Sequence, residues 1–221
     1  MNKDDEETHT DSEFYSAFSK AVYADGNENM LSKLEDQDIE GWEIDDDINN
    51  QDRTTFRRRN KNDDGYDVIL ASRGTSQTRN LLPDLAIMFG GEGKTKRYKE
   101  LSQDYEKVRD KYSGTNDKIV STGHSLSGNM SIFLNRKYGV ESRAFNPGAS
   151  ISHMKQGFVN NLACWANPSW SDCANAEKSH IYHNAGDPLS TASLFDRDHK
   201  HLIKYKGYNP HTINNFTKNK I

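Results

Sequence analysis

No apolar stretch in this sequence approaches the length needed to cross a bilayer, so no segment reads as a membrane-spanning helix. The start is equally poor in the features of a secretory leader. Met1-Asn2-Lys3-Asp4-Asp5-Glu6-Glu7 has neither the basic opening nor the apolar middle of one. The expectation is a soluble chain, intracellular or virion-associated, whose only membrane contact would be peripheral. Cysteine is scarce, with Cys164 and Cys173 the two present. They are close enough for a loop disulfide, but with no visible secretory signal reduced thiols are favoured. Adding His180 and His183 does not make a zinc site, because the tight cysteine pair usual in structural sites is missing; no metal and no cofactor are expected. Aromatic-basic repeats are also absent, and Arg57-Arg58-Arg59 is too short a run to count, which argues against nucleic acid as a partner. Nor are there internal repeats.

What remains is polar: apolar residues make up 33% and charged ones 28%, and the mean hydropathy is -0.97. A core must therefore come from a few dense apolar runs. At 221 residues the chain suits one domain with extended ends rather than two full domains. Charge is unevenly spread. Residues 1–64 hold 19 of the 33 Asp and Glu but only 8 of the 29 Lys and Arg, leaving a basic body behind an acidic front. That front keeps an N-terminal region solvated, and the basic body is suited to anionic lipid head groups. Residues 1–62 thus read as an acidic N-terminal region, packed on the body or partly flexible, and 63–221 as the main domain.

Within the acidic region Phe14, Phe18, Ala21 and Val22 fall at helical spacing, which predicts a short amphipathic helix over Asp11–Tyr23. Asn27–Asn62 is polar, with Trp42, Ile44 and Ile48 as isolated anchors, and has room for short edge strands. Asp63-Asp64-Gly65 signals a turn into Tyr66–Ala71, a nearly continuous apolar run suited to a buried strand. Lys96–Tyr112 reads as a charged helix with Tyr98, Leu101, Tyr105, Val108 and Tyr112 on one face. Lys118–Ser121 is a short strand, and Met130, Ile132, Phe133, Leu134 and Tyr138 belong to a following helix ended by Gly139. Further strands read at Ser142–Phe145, His180–His183 and His201–Tyr205. Alternating strands and helices point to an α/β sandwich with a mainly parallel central sheet.

Between the Lys118 strand and the Met130 helix lies Thr122-Gly123-His124-Ser125-Leu126-Ser127-Gly128. A serine on a sharp strand-to-helix turn is how a hydrolase exposes a weak nucleophile, with Gly123 and the small Ser127 leaving room for the backbone to double back. The pattern departs from G-x-S-x-G in having Ser127 at its fifth position and glycine one place later. A base and its orienting acid are needed downstream. Asp187, beyond a strand and before Pro188, is the leading acid, with Asp172, Asp196 and Asp198 as rivals. His211, in a loop after the last strand, is the leading base, with His153, His180, His183, His199 and His201 as rivals. His124 is suited to packing rather than proton transfer.

Three separate motifs, in order, resemble the class 3 lipase family of the α/β-hydrolases. Ser72-Arg73-Gly74-Thr75 is similar to its Arg-Gly-Thr or Arg-Gly-Ser motif. Thr78-Arg79-Asn80-Leu81-Leu82-Pro83-Asp84-Leu85 is similar to its lid segment, with Pro83 as a departure, and Thr122–Leu126 to its elbow. The resemblance spans roughly 66–148 and continues weakly to His211. It implies an α/β-hydrolase-like three-layer sandwich and a lipase-like catalytic domain over 63–221. It also implies a triad of Ser125, Asp187 and His211, with oxyanion-hole N–H groups from Thr75 and Leu126. Leu81, Leu82, Leu85, Met88 and Phe89 become lid or acyl-contact residues, hinged near Gly90-Gly91; the same cluster also reads as a fixed core helix. The implied activity is hydrolysis of acylglycerol or phospholipid esters, with a membrane or lipid-droplet surface as a candidate place of work. A non-catalytic lipid-binding module that keeps the fold, and an esterase of water-soluble esters, are the competing readings.

Overall fold

The densest apolar run of the sequence lies at the middle of the sheet. In β3 (Tyr66–Ser72), Val68 and Leu70 point to one core and Ile69 and Ala71 to another, so the strand is buried on both faces and its apolar residues need not alternate with polar ones. The computed structural model describes residues 3–60, 64–74, 92–147, 175–185, 187, 199–203 and 211–217, with side chains described from residue 11 in the first helix, from residue 96 in the helix that begins at 92 and from residue 200 in the strand that begins at 199.

Among these residues a seven-stranded sheet runs in the spatial order β1 (Glu43–Asn50), β2 (Arg53–Arg59), β3, β4 (Lys118–His124), β5 (Glu141–Phe145), β6 (Ser179–Asn184) and β7 (His199–Ile203). Strand β2 runs antiparallel to both β1 and β3, and β3 to β7 are parallel. Helices α1 (Lys3–Ala21) and α2 (Asn27–Glu35) cover one face; α3 (Glu92–Lys111) and α4 (Leu126–Tyr138) cover the other. The sequence-based expectation of a three-layer α/β sandwich with a mainly parallel sheet is met.

Two elements differ from that expectation in extent. Helix α1 begins at Lys3, well before Asp11. Apolar periodicity misses the added turns because they contain none, yet Asp4, Asp5, Glu6 and Glu7 suit the positive end of a helix. Residues 43–59, in the stretch with room for short edge strands, form the β1–β2 hairpin at the edge of the main sheet, and α2, which has no counterpart in the sequence reading, precedes them. Asn50 Oδ1 closes the hairpin turn by accepting from the Asp52 and Arg53 N–H groups at 3.0 and 3.1 Å.

Helix α1 is bound to the sheet by both apolar and charged side chains. Phe18 is fully buried and meets Trp42 and Phe56 edge-on, with ring centroids 4.7 and 5.2 Å away. Asp11 accepts from Arg143 Nε on β5 at 2.8 Å and from the Tyr182 hydroxyl on β6. The Arg143 guanidinium also reaches Glu141 at 2.6 Å and lies over the Tyr15 ring. Ser19 Oγ and Thr122 Oγ1, 2.8 Å apart, join α1 to β4 one residue before Gly123. The N-terminal helix is thus held to the strand that carries the serine turn. On the far face, α3 buries Leu101, Tyr105 and Val108, the spacing of a one-sided helix, and Tyr112 just past its end joins them. Helix α4 ends at Gly139 in the left-handed conformation, φ 72°, with its N–H donating to the Asn135 carbonyl.

Candidate active site

Ser125 sits between the last residue of β4 and the first of α4, at φ 61° and ψ -123°. A side chain other than glycine's in that region carries strain of about 1–3 kcal/mol, tolerated where surrounding structure holds it. The tightness of the turn explains the glycine before it. A Cβ on Gly123 would lie 2.5 Å from the Ser127 carbonyl carbon and oxygen, a distance no side chain can occupy. The Ser125 N–H donates to the Phe145 carbonyl at 3.0 Å, and its carbonyl accepts from the Gly128 N–H at 3.0 Å, which ties the turn to β5 and starts α4.

Asp187 follows β6, with its N–H donating to the Asn184 carbonyl at 3.1 Å. His211 precedes the short 3-10 helix Ile213–Asn215. The fold brings both to Ser125: His211 Nδ1 lies 2.8 Å from Asp187 Oδ2, and His211 Nε2 lies 2.9 Å from Ser125 Oγ. A carboxylate only accepts, so Nδ1 carries a proton and donates it, and in the neutral ring Nε2 is left to accept from the serine hydroxyl. All three are buried in this conformation, Ser125 at 3% exposure, His211 at 8% and Asp187 at 1%.

The described rival histidines sit elsewhere. His180 Nδ1 and His201 Nε2 are 3.0 Å from each other across β6 and β7, and His183 is buried in β6. His153 and the rival aspartates Asp172, Asp196 and Asp198 lie outside the described residues. So do Thr75 and the lid candidates Leu81, Leu82, Leu85, Met88 and Phe89, and so do Cys164 and Cys173. Leu126 is the first residue of α4, where a backbone N–H has no intrahelical carbonyl to meet. Its side chain packs into the core with Met130 and Leu134. Among the described residues no group of three His, Cys, Asp or Glu side chains is placed to hold a metal ion, and no helix is long and apolar enough to cross a membrane.

Two further residues support the turn: Tyr23, which sequence reasoning missed, and His124, which it read as a packing residue. The Gly74 N–H, at the end of the chain leaving β3, donates to Tyr23 Oη at 2.9 Å. A Cβ on Gly74 would come within 2.8 Å of both that hydroxyl and the His124 carbonyl, so this backbone is wedged between the turn that follows α1 and the serine turn. His124 is the other. Its Nε2 is 2.6 Å from the His211 carbonyl, which can only accept, so Nε2 carries a proton and donates it. Burial, then the neighbouring His211, pushes the His124 pKa down to about 3, in keeping with a ring that supports and does not shuttle protons.

Burial and Lys200 likewise push His183 down to about 4. Both histidines are neutral in the fold, while in the unfolded chain they titrate near the ordinary value of about 6.5. Below that pH the unfolded chain binds the extra protons, so stability is full above about 6.5 and declines as pH falls toward the two depressed values. Each contributes a slope of up to about 1.4 kcal/mol per pH unit. The urea midpoint is therefore expected to drop between pH 7 and 4.5, and to drop less in His183→Gln; an equal drop in that variant would count against a neutral His183.

No family profile matches the sequence, and no curated protein does. Solved structures do match. A mutant form of MDLA from Penicillium cyclopium covers 97% of this chain and 86% of its own, with TM-score 0.55 and 13% identity. A deletion mutant of the Rhizomucor miehei lipase, in complex with its propeptide, covers 90% of this chain and 68% of its own, with TM-score 0.56 and 13% identity. Lipase II from Rhizopus niveus covers 90% and 79%, with TM-score 0.50 and 12% identity. The seven-stranded mixed sheet, with helices on both faces and a serine at its strand-to-helix turn, is the α/β-hydrolase fold in the form taken by the class 3, fungal-type lipases.

Proposed function

We propose that this protein is a serine hydrolase that cleaves carboxylic esters of acylglycerols or phospholipids through an acyl-enzyme on Ser125. The observation that carries the reading is the unbroken line Asp187–His211–Ser125, at 2.8 and 2.9 Å, ending on a serine held at positive φ. In this reading Ser125 Oγ attacks the ester carbonyl while His211 Nε2 takes its proton. Backbone N–H groups of Leu126 and Thr75 receive the developing oxyanion. His211 then protonates the departing alcohol, and water, activated by the same nitrogen, releases the acid. Asp187 orients His211 and stabilises its charged form. The low exposure of Ser125 supports a covered resting state, for which Leu81, Leu82, Leu85, Met88 and Phe89 are the proposed lid and acyl contacts.

The test is reaction of the full chain with a fluorophosphonate, with the adduct mapped by peptide mass. A single adduct on Ser125 is expected, formed more slowly in the presence of a hydrolysable short-chain ester. No adduct under conditions that label a control lipase, or an adduct on another serine, would sink the proposal. Turnover of a short-chain triacylglycerol across its solubility limit addresses the substrate. A jump in rate on aggregation is expected for a lidded lipase, and a smooth saturation curve would favour water-soluble esters.

A further inference from the structure

Ser127 is the place where the elbow departs from the G-x-S-x-G pattern, and its side chain does what a glycine cannot. Its Oγ accepts from the His124 N–H at 3.0 Å and donates to the His124 carbonyl at 2.8 Å, so one hydroxyl binds both backbone groups of the residue before the nucleophile. The pairing of β3 with β4 runs out at Gly123, opposite Ser72. The hydroxyl takes up His124 polar groups just beyond that point. Ser127 itself is fully buried. The ring it closes contains Ser125, the residue with the strained backbone. His124 is also the link to the base: it precedes Ser125 in the chain, and its ring donates to the His211 carbonyl at 2.6 Å.

The geometry points to Ser127 as a positioning residue that, by clamping the His124 backbone, sets the distance between the Ser125 hydroxyl and the His211 imidazole. This rests on the reading of Ser125 and His211 as nucleophile and base. The hydroxyl has one proton to give and lone pairs to accept with, and the His124 backbone uses both functions. Without it a buried N–H and carbonyl lose their partner next to a strained residue, and the turn gains freedom to relax. Relaxation would act on a 2.9 Å contact, and misplacement of reacting groups by an ångström costs about 100-fold in rate.

The test compares Ser127→Ala with Ser131→Ala in the full chain. Ser131 is a matched buried hydroxyl one turn on, bonded to Ser121 Oγ at 3.1 Å and to the Ser127 carbonyl at 3.2 Å but not to the His124 backbone. Ser127→Ala is expected to lower both kcat on a monomeric ester and the second-order rate of fluorophosphonate labelling by about 10–100-fold, with KM within about twofold. Ser131→Ala is expected to lower Tm comparably and leave both rates near wild type. Equal rates for Ser127→Ala and wild type, with only Tm reduced, would overturn the inference and leave Ser127 a structural hydroxyl. Should the alanine variant not fold, Ser127→Cys keeps the volume and offers only a weak donor. The same selective fall in labelling rate is then expected, and its absence overturns the inference equally. Wild type that fails to label at all overturns the reading of Ser125 itself, an outcome separable from the others because it needs no variant.

Discussion

His211→Ala is expected to lower ester turnover by about 10⁴–10⁶-fold, and Ser125→Ala by a similar factor. The reasoning is geometric. The imidazole is the one described group that touches Ser125 Oγ with a bare nitrogen, and the hydroxyl has no other described base within reach. Removing either member leaves the same residual catalysis, whatever the oxyanion donors and binding supply alone. The double variant His211→Ala with Ser125→Ala should therefore be no slower than the worse single one, because the two residues act as a unit. Single-turnover and steady-state rates on a monomeric ester check this, with urea unfolding to establish that the variants remain folded. Two outcomes oppose the assignment. One is a His211→Ala variant within about tenfold of wild type. The other is a double variant whose loss is the product of the single losses, since that would make the two residues independent.

The two halves of the fold differ in how far they can be read from sequence. β3 is buried on both faces, so Val68, Ile69, Leu70 and Ala71 form one apolar run that is visible without any knowledge of its neighbours. β1 is the edge strand of the same sheet, and Glu43, Asp46 and Asp47 face solvent along it. Its polar composition and the register shift between Ile44 and Asn49 hide its period. Helix α2 buries only Met30 and Leu34, too few anchors to mark a helix in a polar stretch.

The candidate site divides in the same way. The serine turn is local, seven consecutive residues whose glycine is dictated by contacts within the turn itself, and it is legible as a motif. The choice among six candidate histidines and four candidate aspartates is not local. It depends on where loops after β6 and β7 end relative to Ser125, which spacing in the chain does not encode. Position in the chain and the resemblance to class 3 lipases point to Asp187 and His211, and the structure brings those two to Ser125. Tyr23 leaves no trace in sequence, and Ser127 shows there only as a departure from the elbow pattern, because each acts on a backbone group that any residue would present. Asp11 and Arg143 meet across 132 positions, with only their opposite charges to pair them.

Asp187→Asn is expected to lower kcat by about 10⁴-fold with little change in KM. Its carboxylate accepts from His211 Nδ1–H at 2.8 Å, and the residue is 1% exposed, which shields the pair from bulk solvent. Asparagine at this place keeps the shape but brings an amide NH₂, a donor that pairs best with a bare Nδ1. That pairing moves the ring proton to Nε2, where it faces the serine hydroxyl and can no longer receive its proton. The imidazolium formed during attack also loses the negative charge beside it. Neither effect touches substrate binding, which is why the loss belongs in kcat. The His124 contact does not rescue the tautomer, since it holds the His211 carbonyl and not the ring. Labelling by a fluorophosphonate should slow in parallel, because it uses the same base. A loss below about tenfold in both measurements would remove Asp187 from the orienting role and pass the question to Asp172, Asp196 and Asp198, whose asparagine variants would then identify the true acid.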